Sequence, residues 1–259
     1  MKNGKLDPER ITKNIDQAVC VRYYESVDST NAEARRQISE GLSGPALFLS
    51  EEQTAGRGRL GRSFYSPKET GIYMTLACPV HAAYQDAVRI TSKAAAAVLQ
   101  GIQSVVNAAL SIKWVNDIYI GERKIAGILV EAVQDAAQTC VEWLVIGVGI
   151  NVSTSDFPEE LKETAGALTH GSCDRTSLVT AVTERLLWEA EHLQDDSFLK
   201  ICREKSAVLG KEILYGSMPD LKAGKAVAIN DDGALIVEKA DGSTEILNSG
   251  EISIRFRKK

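Results

Sequence analysis

Short apolar runs separated by polar turns dominate the chain between Val21 and Ile150. Runs of this length, with alternating or continuous apolar positions, are typical of β-strands. The pattern predicts strands at residues 21–24, 46–50, 71–77, 112–114, 117–120, 125–133 and 143–150. Gly121-Glu122-Arg123 reads as a tight turn between two of them. The sequence therefore predicts a sheet-based domain in this part of the chain.

Three stretches have a helical pattern instead. Ser29-Thr30-Asn31 opens the first, with Thr30 and Glu33 at the spacing of a capping box, and Gly41 ends it. Residues 91–110 are alanine-rich, which favours a long helix. Residues 176–193 carry apolar side chains at helical spacing. The chain thus combines predicted strands and helices, and we expect a fold of the α+β class.

The pattern changes after Leu209. Short strands are predicted at residues 212–215, 225–230, 234–239, 244–247 and 252–256, with Asp-Gly turns between them. Close spacing of this kind favours a small β-barrel. We predict a polar lead-in at residues 1–20, a main domain at 21–208 and a barrel at 209–259.

Composition excludes several classes of protein. The net charge is −5, with 30 basic and 35 acidic residues, so no broad nucleic-acid surface is expected. No apolar run is long enough to cross a membrane, and the charged N-terminus does not resemble a signal peptide. The five cysteines are scattered without a C-x-x-C pair, which favours reduced thiols. We therefore expect a cytoplasmic protein without a nucleic-acid or membrane partner.

Residues 56–62, Gly-Arg-Gly-Arg-Leu-Gly-Arg, form the most distinctive segment, which we call the glycine–arginine loop. Glycine allows close backbone approach, and arginine binds carboxylate and phosphate oxygens, so the loop is suited to an anion. It also matches the G-x-G-x-x-G pattern of dinucleotide sites. That interpretation requires a following helix, which Pro67 opposes, and a downstream acidic residue, which is missing. A solvated surface loop remains the alternative.

A second polar segment combines Lys113-Trp114-Val115-Asn116-Asp117 with residues 121–131. Lys124 lies between apolar strand residues, which would hold its amine in a defined place, although an edge-strand lysine facing water is the commoner arrangement. Asn116-Asp117 could form only a turn. Asp117 could equally hold a magnesium ion carried by a nucleotide.

Together with Asp28-Ser29-Thr30-Asn31, residues 147–151 and residues 250–255, these segments resemble the biotin protein ligase family (biotin–[acetyl-CoA-carboxylase] ligase). The resemblance covers the chain from Val21 to Arg255 in the family's order. It implies a catalytic core like that of class II aminoacyl-tRNA synthetases, followed by an SH3-like barrel. It also implies ATP and biotin as substrates, Mg²⁺, a biotin carboxyl carrier protein as acceptor, and a homodimer as one possible assembly.

The resemblance further implies which residues form the site. Biotin would be bound by Ser29, Thr30, Asn31, Gln53, Arg57, Gly58, Arg59, Lys124 and Gly127. ATP and the adenylate would be bound by Arg57, Arg59, Arg62, Phe64, Asn116, Lys124, Asn151 and Arg255. Catalysis would depend on Arg57, Arg59, Lys124 and Asp117, with Asp117 also the candidate metal ligand. Gly147 and Gly149 would let the backbone pass close to the nucleotide.

Other functions stay open at this point. A lipoate–protein ligase would share the fold and the adenylate chemistry. A biotin sensor or repressor would form the adenylate and modify nothing. About 20 residues precede the core, too few for the helix-turn-helix domain that some members carry, so we expect the form without DNA binding. His81, His170 and His192 lie in no motif and are interpreted as surface or structural residues.

Overall fold

A computed structural model describes residues 4–83, 89–216 and 219–248, and the backbone of residues 253–256. Its main element is a seven-stranded sheet in the order β1-β2-β3-β7-β6-β5-β4. The strands are β1 Cys20–Tyr24, β2 Ala46–Ser50, β3 Gly71–Ala82, β4 Leu110–Lys113, β5 Asp117–Ile120, β6 Arg123–Gln134 and β7 Val141–Asn151. Only β1 and β2 pair in parallel; all other neighbours are antiparallel.

Helices lie on both faces of this sheet, most of them on the face that carries the main core. The helices are α1 Pro8–Asn14, α2 Thr30–Ser39, α3 Ile90–Val105, α4 Arg175–Glu191 and α5 Ser197–Glu204. Side chains alternate along each strand, and one set, such as Ile72 and Met74 of β3, packs in the main core with α3 and α4. Burial of this apolar surface stabilises the domain.

The opposite face carries short and polar side chains in its middle. Thr75, Gly147 and Leu129 form one cross-strand row. Tyr73, Gly149 and Gly127 form the next row, roughly 7 Å along the strands. Helix α2 covers only the end of this face, where Ala34 packs in a small cluster with Phe48, Ala77 and Val145. The two central rows are left to form a concave surface.

A fully buried ion pair joins the N-terminal segment, the sheet and helix α4. Arg175 Nη1 lies 2.7 Å from Glu51 Oε2 and donates a hydrogen bond to the Gly71 carbonyl at 2.9 Å. Arg175 Nη2 donates to the Gly4 carbonyl, and the Leu6 amide donates to Glu51 Oε1. Both charges are thus fully hydrogen-bonded, which is the condition for tolerating them in a core.

The C-terminal part is a five-stranded sheet in the order β11-β10-β9-β8-β12. Its strands are β8 Glu212–Gly216, β9 Lys222–Ile229, β10 Leu235–Glu238, β11 Thr244–Leu247 and β12 Ser253–Phe256. Trp114 Nε1 donates to the Gly233 carbonyl at 3.0 Å, and Arg203 of α5 forms an ion pair with Asp231. These contacts connect the small sheet to the main domain beside β4 and α5.

Most predicted elements are confirmed, with several differences. The helix predicted at 91–110 ends at Val105, because Leu110 pairs with Ile120 in the sheet. Helices α1 and α5 were not predicted. Strand β3, predicted to end at Ala77, extends to Ala82. Residue 252, predicted to begin the last strand, lies outside the described residues. Among the described helices, none combines the length and the apolar character needed to span a bilayer.

Candidate active site

The concave surface of the main sheet forms a cleft. Eleven of the residues predicted to bind ligands line it: Ser29, Thr30, Asn31, Gln53, Arg57, Gly58, Arg59, Phe64, Asn116, Lys124 and Gly127. They come from the N-terminus of α2, the glycine–arginine loop, the turn before β5 and strand β6. The fold therefore brings together segments that are far apart in the sequence. Leu129 adds apolar surface.

Three glycines, Gly127, Gly147 and Gly149, form the base of the cleft, which we call the glycine floor. A Cβ atom at Gly147 would overlap the Asn31 side chain, and one at Gly149 would overlap the ring of Phe64. A Cβ at Gly127 would lie 3.0 Å from Lys124 Nζ. The floor thus accommodates side chains of the site itself. The expectation was that Gly147 and Gly149 let the protein backbone pass close to the nucleotide. In the structure, Gly147 lies against the Asn31 side chain and Gly149 against the Phe64 ring.

One end of the cleft is polar and lies at the start of α2. Ser29, not Thr30, is the N-cap residue: its hydroxyl accepts from the Ala32 amide. The expected capping box with Thr30 is therefore wrong, because the helix begins one residue earlier. The Thr30 side chain instead lies beside Gln53 Oε1, at 3.1 Å, and that oxygen also accepts from the Thr30 amide at 2.9 Å.

The amide group of Gln53 is oriented from both sides. Its Nε2 donates to the Ser66 hydroxyl at 3.0 Å, which leaves Oε1 facing Thr30. Asn31 is oriented in the same way, since its Nδ2 donates to Glu131 Oε2 at 2.8 Å. These contacts fix which atoms of the two amides face the cleft.

The glycine–arginine loop closes over the cleft as a hairpin. The Phe64 amide donates to the Gly56 carbonyl at 2.9 Å, and the Gly58 amide donates to the Arg62 carbonyl at 2.7 Å. Leu60 and Gly61 make the turn with positive φ angles of 58° and 70°. A Cβ at Gly56 would lie 2.5 Å from the Phe64 carbonyl oxygen, so this position requires glycine for the strands of the hairpin to meet.

Arg59 turns back from this hairpin toward the sheet. Its Nη1 donates to Asn116 Oδ1 at 3.0 Å, and Asn116 Nδ2 in turn donates to the Ile128 carbonyl at 2.9 Å. Burial lowers the pKa of Arg59, while the charge of Asp117 opposes this shift. The guanidinium stays charged at neutral pH. It is thus a partly desolvated cation held above the cleft, whereas Arg57 is exposed.

Lys124 is the second cation at this end. A register shift between Ile118 and Tyr119 interrupts the pairing of β5 with β6 next to it. The Lys124 backbone pairs with residues 164–166, so both sides of the strand are held there. Its Nζ lies 2.7 Å from Asp117 Oδ1. An ammonium group has three N–H donors, so this single ion pair leaves donors for an incoming anion.

Three predicted residues with described side chains do not line the cleft. Asp117 lies behind Lys124, and Arg62 is exposed on the far strand of the hairpin. Asn151 is buried at the end of β7, and its Oδ1 has no hydrogen-bond partner among the described residues. The side chain of Arg255 lies outside the described part, although the backbone of β12 pairs with β8.

The described residues contain no group of three histidine, cysteine, aspartate or glutamate side chains that could hold a metal ion. The predicted metal ligand Asp117 is a lone carboxylate. Magnesium that accompanies a nucleotide needs only one or two protein carboxylates, because phosphate oxygens and water supply the other ligands. The donor set therefore fits a nucleotide-borne ion and not a protein-built metal centre.

Sequence reasoning missed two groups that support the site. Thr75 is fully buried and lies 2.7 Å from both the Thr30 hydroxyl and Asn31 Oδ1. The Glu51–Arg175 pair anchors the segment that leads to Gln53. A threonine within a strand and an arginine at a helix start carry no local signal of their tertiary contacts. All three histidines lie outside the cleft lining.

Family models match both parts of the chain. A model described as "Biotin/lipoate A/B protein ligase family" matches residues 23–151, and one described as "Biotin protein ligase C terminal domain" matches residues 208–255. The bifunctional ligase/repressor BirA of Bacillus spizizenii is 31% identical over 96% of this chain and 79% of its own length. The chain belongs to the biotin protein ligase family.

Other biotin protein ligases extend the comparison. The biotin–[acetyl-CoA-carboxylase] ligase of Paracoccus denitrificans is 29% identical, covering 87% of this chain and 96% of its own. The structure of the Aquifex aeolicus biotin protein ligase in complex with biotin and ATP superimposes with a TM-score of 0.73 and 27% identity. That match covers 92% of this chain and 99% of the Aquifex chain. The predicted family, α+β fold class and ATP-dependent ligase class are confirmed.

Proposed function

We propose that this protein condenses biotin with ATP to biotinyl-5′-AMP and then transfers the biotin to a lysine of a biotin carboxyl carrier protein. One observation carries the proposal: a single cleft has uncharged hydrogen-bonding groups at one end and the cations Arg59 and Lys124 at the other. The two ends lie on adjacent rows of the same sheet face. Biotin has the matching polarity, with a polar ureido ring, an apolar chain and a terminal carboxylate.

The ureido ring would bind at the end formed by Ser29, Thr30 and Gln53. Its N–H and C=O groups need partners once buried, because each unpaired group costs about 1–3 kcal/mol. The apolar chain would run along the glycine floor, and its carboxylate would reach Lys124. Biotin in this orientation places the reacting oxygen next to both cations, Lys124 and Arg59.

Activation requires two anions to meet. A carboxylate oxygen of biotin attacks the α-phosphorus of ATP, a new C–O–P bond forms, and the bond to pyrophosphate breaks. Arg57, Arg59 and Lys124 would offset the repulsion between the reactants and the charge that develops in the transition state. The chain needs to supply no nucleophile, because the substrate carboxylate is the nucleophile.

The nucleotide would occupy the cleft beneath the hairpin. Phe64 offers an apolar ring above Gly149, Asn116 contacts Arg59, and Arg62 belongs to the glycine–arginine loop. The unpaired Asn151 Oδ1 is an acceptor that a nucleoside N–H or O–H could satisfy. Arg255 stays a predicted contact of the same ligand. Magnesium bound to the phosphates would shield their charge, with Asp117 as the protein ligand.

Transfer of biotin to the acceptor lysine would take place in the same cleft. The acceptor lysine attacks the biotinyl carbonyl carbon, an amide bond forms, and AMP leaves. Asp117, paired with Lys124 at the edge of the cleft, could instead orient that lysine. The acceptor would be a carrier-protein domain that presents its lysine above the hairpin.

Biotin-dependent exchange of pyrophosphate into ATP, with magnesium and with lipoate run in parallel, tests this proposal. We expect exchange with biotin and none with lipoate. Exchange with lipoate alone would make the protein a lipoate ligase with the same fold. Exchange with biotin but no labelling of a purified carrier domain would favour a sensor over a ligase.

A further inference from the structure

Behind the polar end of the cleft lies a buried chain of hydrogen bonds that touches no ligand position directly. We propose that Thr75, oriented by Asn31 and Glu131, is a specificity-determining positioning residue. It sets the direction of the hydroxyl protons so that Thr30 and Gln53 present acceptors to the ligand. The inference rests on the proposed function, and it explains how this site would select a cyclic urea.

The direction is fixed first at Asn31. Its Nδ2 donates to the Glu131 carboxylate at 2.8 Å, and an ionised carboxylate can only accept. Asn31 Oδ1 must therefore point the other way, where it lies 2.7 Å from the Thr75 hydroxyl. Gly147 makes this packing possible, because a side chain there would overlap the Asn31 amide.

Thr75 has one proton and two neighbouring oxygens. Its hydroxyl lies 2.7 Å from Asn31 Oδ1 and 2.7 Å from the Thr30 hydroxyl. Asn31 Oδ1 has no proton to offer, so two acceptors would face each other unless the Thr75 proton points to Asn31. Thr75 is fully buried, so leaving one of these oxygens without a hydrogen bond would cost free energy. The oxygen of Thr75 is then left to accept the proton of Thr30.

This order determines what the cleft offers a ligand. With the Thr30 proton directed to Thr75, the Thr30 oxygen keeps a free lone pair. In this order the Thr30 hydroxyl no longer donates to Gln53 Oε1, 3.1 Å away, so that oxygen accepts the Thr30 amide and keeps its second lone pair for a ligand. Ser29 accepts from Ala32, and its own proton has no acceptor among the described residues. The end of the cleft thus presents two acceptors and one donor.

A cyclic urea has the complementary set, two N–H donors and one C=O acceptor. The dithiolane ring of lipoate has no N–H group and would leave both acceptors unpaired. Sites that hydrogen-bond a substrate group reject analogues that lack it more strongly than apolar pockets reject a shape difference. Thr75 would contribute to this rejection without touching the substrate.

The reverse order shows why Thr75 is needed. Replacing Thr75 with valine keeps the shape and removes the hydroxyl. The Thr30 proton then turns to Gln53 Oε1, 3.1 Å away, and occupies an acceptor that the ligand needs. Glu131→Gln has the same consequence by another route. A neutral amide can donate to Asn31 Oδ1, so the Asn31 amide group can rotate by 180°. The hydrogen bonds from Asn31 through Thr75 to Thr30 would then all run in the opposite direction.

The test compares dissociation constants of biotin and of biotin methylated on one ureido nitrogen, measured by titration calorimetry. We expect wild-type protein to prefer biotin by about 100-fold, because methylation removes a donor and adds bulk. In Thr75→Val this preference should fall at least about tenfold. The steric penalty of the methyl group is unchanged, but the ureido N–H that methylation removes no longer has a free acceptor in the site. Thr75→Ser keeps the hydroxyl and should restore the wild-type ratio.

Two controls separate this role from a loss of folding. Glu131→Gln should lower the ratio in the same direction, whereas the exposed Glu142→Gln on β7 should leave it unchanged. The maximal rate of pyrophosphate exchange should change little, because the reacting atoms lie over the next row of the sheet. Unaltered ratios in both Thr75→Val and Glu131→Gln would overturn the inference. If wild-type protein still exchanges with biotin, the proposed function survives; if it does not bind biotin, both fail.

Discussion

Lys124 and Arg59 reach the cleft from different elements, and this difference separates the steps that each should affect. Lys124 is fixed to the sheet by its own backbone hydrogen bonds and by Asp117. Arg59 is carried by a hairpin and contacts the sheet through Asn116. A cation on the sheet is in place before the loop closes. Arg59, a cation on the loop, reaches its position when the loop closes, and we expect it to hold the adenylate beneath the loop.

Lys124→Ala should strongly slow the first step. The variant removes a positive charge beside the attacking carboxylate, and loss of one such group costs about 100-fold or more in rate. Biotin-dependent pyrophosphate exchange measures it, with Lys162→Ala, a surface lysine paired with Glu159, as the matched control. Normal pyrophosphate release by Lys124→Ala would contradict the assignment.

Arg59→Ala should instead release the intermediate. The substitution removes the hydrogen bond to Asn116, and with it a charged contact that is worth about 1.5–3 kcal/mol, so adenylate dissociation should accelerate about tenfold or more. Retention of labelled biotinyl-5′-AMP on a desalting column measures this. The exposed Arg185→Ala serves as control. Unchanged retention would show that the hairpin holds the adenylate without this residue.

The sequence predicted these cations but not the groups behind them. Arg59 and Lys124 belong to segments with unusual composition, which mark them as candidates. Thr75 is an ordinary threonine in an apolar strand, and its partners Thr30 and Asn31 lie more than forty positions away. Contacts of this kind depend on strand register and helix placement. Local sequence pattern does not encode them.

At the level of elements, the hairpin depends on Gly56 for its shape. The two strands meet at the Gly56 carbonyl and the Phe64 amide, and Gln53 and Ser66 pack against the same position. The loop therefore closes on the residues that bind the ureido ring. Hairpin geometry and ligand binding are coupled through one backbone contact.

Gly56→Ala should weaken binding of both substrates. Its Cβ would lie 2.5 Å from a backbone oxygen, so the hairpin must open to admit it. We expect KM values for biotin and ATP in the exchange assay to rise about tenfold or more, equivalent to about 1.4 kcal/mol. Gly44→Ala, which adds a methyl group in open space, is the control. Wild-type KM values in Gly56→Ala would exclude a role for this contact.

Element prediction was accurate where the pattern was local. The strands of the sheet are predictable because their apolar residues alternate or form short runs and because turn residues flank them. Helix α3 was predicted too long because Leu110 continues an alanine-rich stretch while its sheet pairing ends the helix. Helix α1 was missed although Asp7 caps it and Pro8 occupies its first turn, since seven residues show little periodicity.

For the whole molecule, the Glu51–Arg175 pair connects three regions. It holds the N-terminal segment through Gly4 and Leu6, the start of β3 through Gly71, and helix α4. Glu51 lies two positions before Gln53, so the same contacts hold the segment that carries a ligand-binding amide. Global stability and the polar end of the cleft share this anchor.

Arg175→Met should destabilise the fold by about 3–5 kcal/mol, because it leaves a buried carboxylate without its cation. Urea denaturation measures the free energy of unfolding. The exposed pair Arg10–Asp174 gives the control, and Arg10→Ala should cost less than about 1 kcal/mol. The double variant Glu51→Leu/Arg175→Met should recover much of the loss. Equal effects of the Arg175 and Arg10 variants would contradict this account.

The glycine floor limits how the cleft could be redesigned. Glycine is already the smallest residue, so substitution cannot deepen the cleft at Gly127, Gly147 or Gly149 and can only fill it. Space for a bulkier biotin analogue must come from the side above, where Phe64 lies over two of these glycines. A library aimed at orthogonal protein labelling should therefore vary Phe64 first and leave the sheet untouched.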